Sequence, residues 1–180
     1  MGRLRLDIVN DEMVVTLLTE DKVENGAFGK VSKIMNVDDL GRETYGLAPL
    51  VGGESAGEIV FVAHDGHRYE SKKIGSALSP IGGGKFYEEL NDGFDVSVEA
   101  GESTRGYFLS RRDIISVEPH VLTGEDPVTE IAECELKAGE YLKAGEGYIL
   151  TKAQDSSDAI AVVDGIEKWC GYVVYVIRFL

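Results

Sequence analysis

The sequence predicts a mostly β protein: short antiparallel strands on Gly-rich turns, barrel- or sandwich-like, with at most one or two short helices. Three observations predict it. Gly stands at 22 residues and Pro at only 4, which suits many tight turns between strands. The apolar runs are short and either alternate with period two or are rich in β-branched residues, and no long amphipathic helix pattern occurs. The phrase Ala-Gly-Glu recurs at Ala56, Ala100, Ala138 and Ala144. It reads as re-used turn chemistry, in which Gly permits φ > 0 between polar neighbours. No repeat of propeller or solenoid length accompanies it.

Taken in order, Leu4, Leu6 and Ile8 alternate with Arg3, Arg5 and Asp7, a half-buried strand or an extended arm. Met13–Leu18 is a second apolar run whose β-branched content favours strand. Phe28–Val37 alternates, Asp38-Asp39-Leu40-Gly41 turns, and Thr44–Val51 returns beside it. Gly52–Gly57 is a Gly-rich turn before Glu58–Ala63, the best core strand of the first half. Asp65-Gly66 is a hairpin dipeptide, Lys72–Gly84 a loop, and Lys85–Leu90 one or two helical turns ended by Asn91-Asp92-Gly93. Phe94–Glu99, Arg105–Leu109 and Ile114–Val117 are further strands. Glu118–Asp126 reads as a loop. In the final section, Lys137-Ala138-Gly139-Glu140 and Lys143-Ala144-Gly145-Glu146 read as two turns around Tyr141-Leu142. Gly147–Thr151, Ala159–Val163 and Gly171–Leu180 supply the closing strands.

At 180 residues, 43% of them hydrophobic, the chain can bury a core as a single β-rich unit, 1–180. A subdomain joint is expected, if anywhere, near 118–127, dividing 1–117 from 128–180. Formal net charge is −14, and no window supplies the basic face that direct nucleic-acid binding needs. The densest basic spots are Arg3/Arg5, Lys72-Lys73 and Arg111-Arg112. No apolar run reaches membrane-spanning length, and the N-terminus lacks an apolar signal-peptide core. Cys134 and Cys170 are too few for a disulfide framework; a single bridge between them stays open.

Candidate chemistry is sparse. His64, His67 and Glu70 are the one ligand-like cluster, but His at i and i+3 across an Asp-Gly turn is not the helical spacing of a zinc protease. His120 stands alone beside a Pro as a loop residue. Gly82-Gly83-Gly84-Lys85 fails the P-loop pattern at both ends, at Ser79 and Phe86. Gly53-Glu54-Ser55-Ala56-Gly57 has the letters of a nucleophile elbow, yet a strand follows it where the elbow needs a helix. Glu88/Glu89 and Asp38/Asp39 are adjacent acids, not carboxyls facing across a cleft. Arg111-Arg112 neutralises neighbouring acids or meets an acidic partner patch. No catalytic residue, metal or cofactor is expected.

Two stretches carry a resemblance. Val98-Glu99-Ala100-Gly101-Glu102-Ser103-Thr104-Arg105-Gly106-Tyr107-Phe108-Leu109-Ser110-Arg111-Arg112-Asp113-Ile114-Ile115-Ser116-Val117 is similar to a stretch of small proteins encoded near the major capsid protein of tailed bacteriophages. So is Leu136-Lys137-Ala138-Gly139-Glu140-Tyr141-Leu142-Lys143-Ala144-Gly145-Glu146-Gly147 with its strand-rich tail. In pattern, the last half of the chain resembles phage head decoration (cement) proteins. The resemblance implies a β-rich, non-enzymatic virion structural protein on the capsid exterior, made in the host cytoplasm. It implies the major capsid protein as partner and a homo-oligomer, with a trimer favoured. It also implies an N-terminal segment that adds to the capsid surface. Gly2–Ile8 suits that role by strand addition, with Arg3, Leu4, Arg5, Leu6 and Ile8 as the partner-binding residues. This chain is longer than the smallest cement proteins, which implies an extra subdomain. The other readings are a β-domain that binds carbohydrate or protein, and a small metal-dependent enzyme using His64 and His67.

Overall fold

The computed structural model describes residues 4–8, 14–37, 43–63, 97–124, 128–169 and 172–180. Fifteen strands follow in chain order: β1 (Leu4–Ile8), β2 (Val14–Thr19), β3 (Val23–Glu24), β4 (Phe28–Val37), β5 (Glu43–Ala48), β6 (Leu50–Val51), β7 (Ile59–Val62), β8 (Ser97–Val98), β9 (Ser103–Phe108), β10 (Ile114–Val117), β11 (Tyr141–Ala144), β12 (Glu146–Gly147), β13 (Leu150–Lys152), β14 (Ala161–Trp169) and β15 (Tyr172–Phe179). One helical turn, α1 (His120–Thr123), and 3-10 turns at Ala56–Glu58 and Ile131–Glu133 complete the described elements. The protein is mostly β, as its turn-rich sequence requires.

Two assemblies share the strands. β2, β5, β4, β7 and β9 close into a barrel, and β1, β10, β15, β14, β11 and β13 form a six-stranded sheet in that order. Short ribbons pair β12 with β6 and β3 with β8. Among the described residues, β2 and β5 are the one parallel pair; the other ladders are antiparallel.

β7 shows why the assemblies hold together. All four of its residues, Ile59-Val60-Phe61-Val62, are buried, so the strand reads as a continuous apolar run rather than an alternation. Ile59 and Phe61 join the main core, while Val60 and Val62 join a second cluster with Leu17, Leu47 and Val98. Alternate side chains point to opposite faces of a strand, so β7 serves both clusters at once. The main core unites barrel residues Phe28, Phe61 and Tyr107 with Ile115, Leu142, Val163, Ile177 and Phe179 of the large sheet. Phe28 and Phe179 meet across this seam with ring centroids 6.4 Å apart, and Phe61 stacks on Tyr107 at 5.4 Å. Burying one such ring stabilises the fold by roughly 1.5–3 kcal/mol.

The structure corrects two local expectations. Glu118–Asp126 is not simply a loop. It contains α1, whose Val121 and Leu122 are buried and which Gly124 ends in the left-handed conformation at φ 74°. The main core takes residues from both sides of this segment. The two Lys-Ala-Gly-Glu phrases also differ. Gly139 has φ +89° and closes a turn in which the Glu140 N–H donates to the Lys137 carbonyl. Gly145 is not among the positive-φ glycines. Its N–H donates to the Ile149 carbonyl at 3.1 Å, and a Cβ there would lie 2.7 Å from Thr151 Cγ2. Gly145 is required by close approach of backbone, and Lys143-Ala144 belong to β11 rather than to a turn.

Candidate functional site

The segment expected to bind a partner is part of the large sheet. β1 pairs antiparallel with β10 through Leu4↔Val117, Arg5↔Ser116, Leu6↔Ile115 and Ile8↔Ile114, with a bulge between Leu6 and Ile8. It is the terminal strand of the sheet, so among the described residues its second edge meets no strand. Leu4, Arg5, Leu6 and Ile8 lie on this edge strand; Arg3 lies outside the described residues. An edge strand presents backbone N–H and C=O groups that a further strand can pair.

The turn that feeds β10 adjoins the end of β1. In it the Asp113 N–H donates to the Ser110 carbonyl at 3.0 Å, and the Ser110 N–H donates to Asp113 Oδ2 at 2.7 Å. Arg112 is the one non-glycine residue with positive φ, 78°, among the described residues. Its N–H is held by the Phe179 carbonyl at 2.9 Å. The left-handed conformation costs a β-carbon residue of order 1–2 kcal/mol, and hydrogen bonds on both sides of the turn sustain it. Arg111 and Arg112 are exposed, and among the described residues neither guanidinium has an ion-pair partner. By contrast Arg178, on the neighbouring β15, is forked onto Asp164 at 2.7 and 2.9 Å. In a chain of net charge −14, these are two exposed guanidiniums without an ion-pair partner among the described residues, in the turn ahead of β10.

A concavity of about 660 Å³ opens between the Gly52–Ala56 loop and the 157–160 segment. Lys143, Ser157, Asp158 and Leu180 line it with the loop, and among the described residues no aromatic ring does. Gly52 and Gly53 both have positive φ, +89° and +85°. Glu54 anchors the loop: Oε1 accepts from Lys30 Nζ at 3.2 Å and from the Val51 N–H at 2.9 Å. Burial pushes the Glu54 carboxyl up, but the Val51 and Glu54 N–H bonds and the Lys30 ammonium together outweigh it and hold it below its ordinary value. Ser55, the centre of the elbow-like letters, donates its hydroxyl to Glu58 Oε2 at 2.7 Å, and its N–H goes to the same oxygen. Its partner is a carboxylate in a capping box ahead of β7, so it is a turn residue.

His120 is not an isolated loop residue. Its Nε2 lies 2.5 Å from Glu24 Oε2 and its Nδ1 3.5 Å from Glu118 Oε2. Neighbouring sequence gives no signal for Glu24, which the β3–β8 ribbon brings in from the other half of the chain. The two carboxylates sit on opposite ring nitrogens, so they do not converge on one point where an ion would bind. Among the described residues no group of three His, Cys, Asp or Glu is arranged to hold a metal. His64, His67, Glu70, Asp38, Asp39, Gly82–Lys85, Lys85–Leu90 and Cys170 lie outside the described residues. No helix among the described residues is long and apolar enough to cross a membrane.

No family model, curated protein or solved structure matches the chain.

Proposed function

We propose that this chain is a non-enzymatic virion structural protein of the head-decoration type, which binds the outer capsid lattice and stabilises it. The observation that carries the reading is the pairing of the β1 edge with the exposed Arg111-Arg112 turn. The mostly β architecture and the resemblance of 98–117 and 136–147 to capsid-associated phage proteins support it. The partner is the major capsid protein, which supplies a strand to the β1 edge and acidic groups to the arginines. Strained non-glycine backbone persists where surrounding structure over-determines it, and it clusters at binding sites.

Magnitude argues for several copies. A stable interface buries about 1,200–2,000 Å² in total, far more than a five-residue strand edge provides. Each added backbone hydrogen bond contributes only about 0.5–1.5 kcal/mol net. Three copies binding one lattice convert later contacts into intramolecular ones and raise avidity by about 10²–10⁴. A homotrimer on the capsid exterior meets that requirement. A carbohydrate-binding reading gains nothing from the 660 Å³ concavity, whose described lining has no aromatic platform.

The test is co-sedimentation with lattices assembled from the major capsid protein of the same genome, read across a salt series. Saturable binding that weakens with salt is expected. Protein left in the supernatant at every salt concentration would overturn the reading.

A further inference from the structure

We propose that the concavity between the Gly52–Ala56 loop and the large sheet binds a small zwitterion, an aliphatic molecule with a primary ammonium at one end and a carboxylate at the other. The site does not depend on the capsid reading.

The concavity lies where the two assemblies meet. The loop leads into β7 of the barrel, while Lys143 and Ala144 belong to β11 of the large sheet. Its volume of about 660 Å³ is that of a small-molecule site. Two carboxylates line it, one from each side. Glu54 stands on the loop, and its side chain is only 7% exposed. Its Oε1 is filled by Lys30 Nζ and the Val51 N–H. Its Oε2 is buried and has no hydrogen-bond partner among the described residues. Asp158, on the facing segment, is exposed. Lys143 is half-buried, and among the described residues its ammonium makes no ion pair. Ala144 and Ile160 are buried and add apolar surface to the wall.

Chemistry then selects the ligand. Burial raises the Glu54 carboxyl, but its N–H and Lys30 contacts outweigh that and leave it charged at neutral pH. A charged oxygen taken out of water without a donor is costly. A donor that reaches Oε2 recovers that cost, and an ammonium recovers most, because its hydrogen bond is charge-assisted. The donor set does not suit a metal ion. Among the described residues no three His, Cys, Asp or Glu converge, and hard cations take six or more oxygens. Lys143 repels a bare cation, so the same molecule carries a carboxylate for that ammonium. An aliphatic stem between the two charges covers Ala144 and Ile160. Oε2 is closed to solvent, so the loop shifts to admit the donor. Gly52 and Gly53, both with positive φ and with nothing within 4 Å of an added Cβ, leave room for that shift.

The test is an NMR titration of the intact, nitrogen-labelled protein with ω-aminohexanoate, hexylamine and hexanoate. Aminohexanoate is expected to give saturable shifts of amides at 52–56, 143–144 and 157–160. Each one-charge probe is expected to bind at least about tenfold more weakly. Glu54→Gln keeps an acceptor for the Val51 N–H and puts an amide N–H₂ in place of Oε2, so it should weaken aminohexanoate about tenfold. Lys143→Gln should weaken aminohexanoate and leave hexylamine unchanged. Should Glu54→Gln fail to fold, Asp158→Asn on the exposed side tests the same ammonium end. The absence of a saturable shift, or shifts confined to other segments, would overturn the proposal. So would hexylamine or hexanoate binding as tightly as aminohexanoate, or an affinity unchanged by Glu54→Gln or, in its place, by Asp158→Asn.

Discussion

Gly106 lies beneath Leu17 with no room for a side chain: a Cβ there would stand 2.3 Å from Leu17 Cδ1 and 2.5 Å from Val60 Cγ2. Leu17 is on β2 and Val60 on β7, the two strands that flank β9 in the barrel. Their side chains meet over the glycine. Gly106→Ala is expected to destabilise by about 1–3 kcal/mol, the usual cost of forcing a methyl into a filled core. Urea denaturation checks it, with a lower midpoint at unchanged slope.

The seam between barrel and sheet gives a second expectation. Phe179 is fully buried in the main core, with its ring centroid 6.4 Å from that of Phe28. Phe179→Ala is expected to cost about 3–5 kcal/mol. Because one core joins both assemblies, wild-type thermal unfolding is expected as a single transition by near- and far-ultraviolet circular dichroism. Two separated transitions would contradict a shared core.

Acid stability follows from the carboxylates. Glu140 is held below its ordinary value first by the Lys152 ammonium and then by the Lys137 N–H. Glu58 is shifted the same way by the Ser55 hydroxyl and N–H, and Asp155 by those of Ser157. Each folded carboxyl releases its proton more readily than the unfolded one. The stability they contribute is therefore present above the unfolded carboxylate range, near pH 4, and is lost as pH falls through the folded values. Tm is expected to drop on acidification below about pH 4.5, and Glu140→Gln to make that drop shallower.

Arg112 separates stability from binding. Gly relieves its left-handed backbone, φ 78°, so Arg112→Gly is expected to raise stability by about 0.5–1 kcal/mol, the strain relieved less the entropy glycine adds to the unfolded chain. The same change removes one of two exposed guanidiniums and should weaken lattice binding. Reversing both charges, Arg111→Glu with Arg112→Glu, is expected to leave the melt within about 0.5 kcal/mol of wild type and to lower lattice affinity at least about tenfold at low salt. Sedimentation of each variant with lattices provides the comparison.

The strands were legible wherever local pattern decides them. Phe28–Val37 alternates and becomes β4, while within Glu58–Ala63 the apolar run Ile59–Val62 becomes the two-face strand β7 and Glu58 ends the turn before it. Partner choice was not legible. The parallel pairing of β2 with β5, Leu17↔Tyr45 among its contacts, depends on barrel closure and not on either strand's own residues. Gly145 was misread because its phrase matches that of Gly139 letter for letter. What distinguishes it is the approach of Ile149 and Thr151. The capping box of Ser55 and Glu58 does stand in the sequence as Ser-x-x-Glu. The partners of His120, and the strain that marks Arg112, exist only in three dimensions.

Hydrogen exchange at 4–8 and 110–113, with and without capsid lattice, tests the central claim most directly. Strand addition must protect outward-facing amides of β1, and docking at the arginines must slow the adjoining turn. The account predicts slower exchange in both segments on binding, with little change in the buried strand β7. Lattice binding that leaves 4–8 and 110–113 unchanged would contradict it.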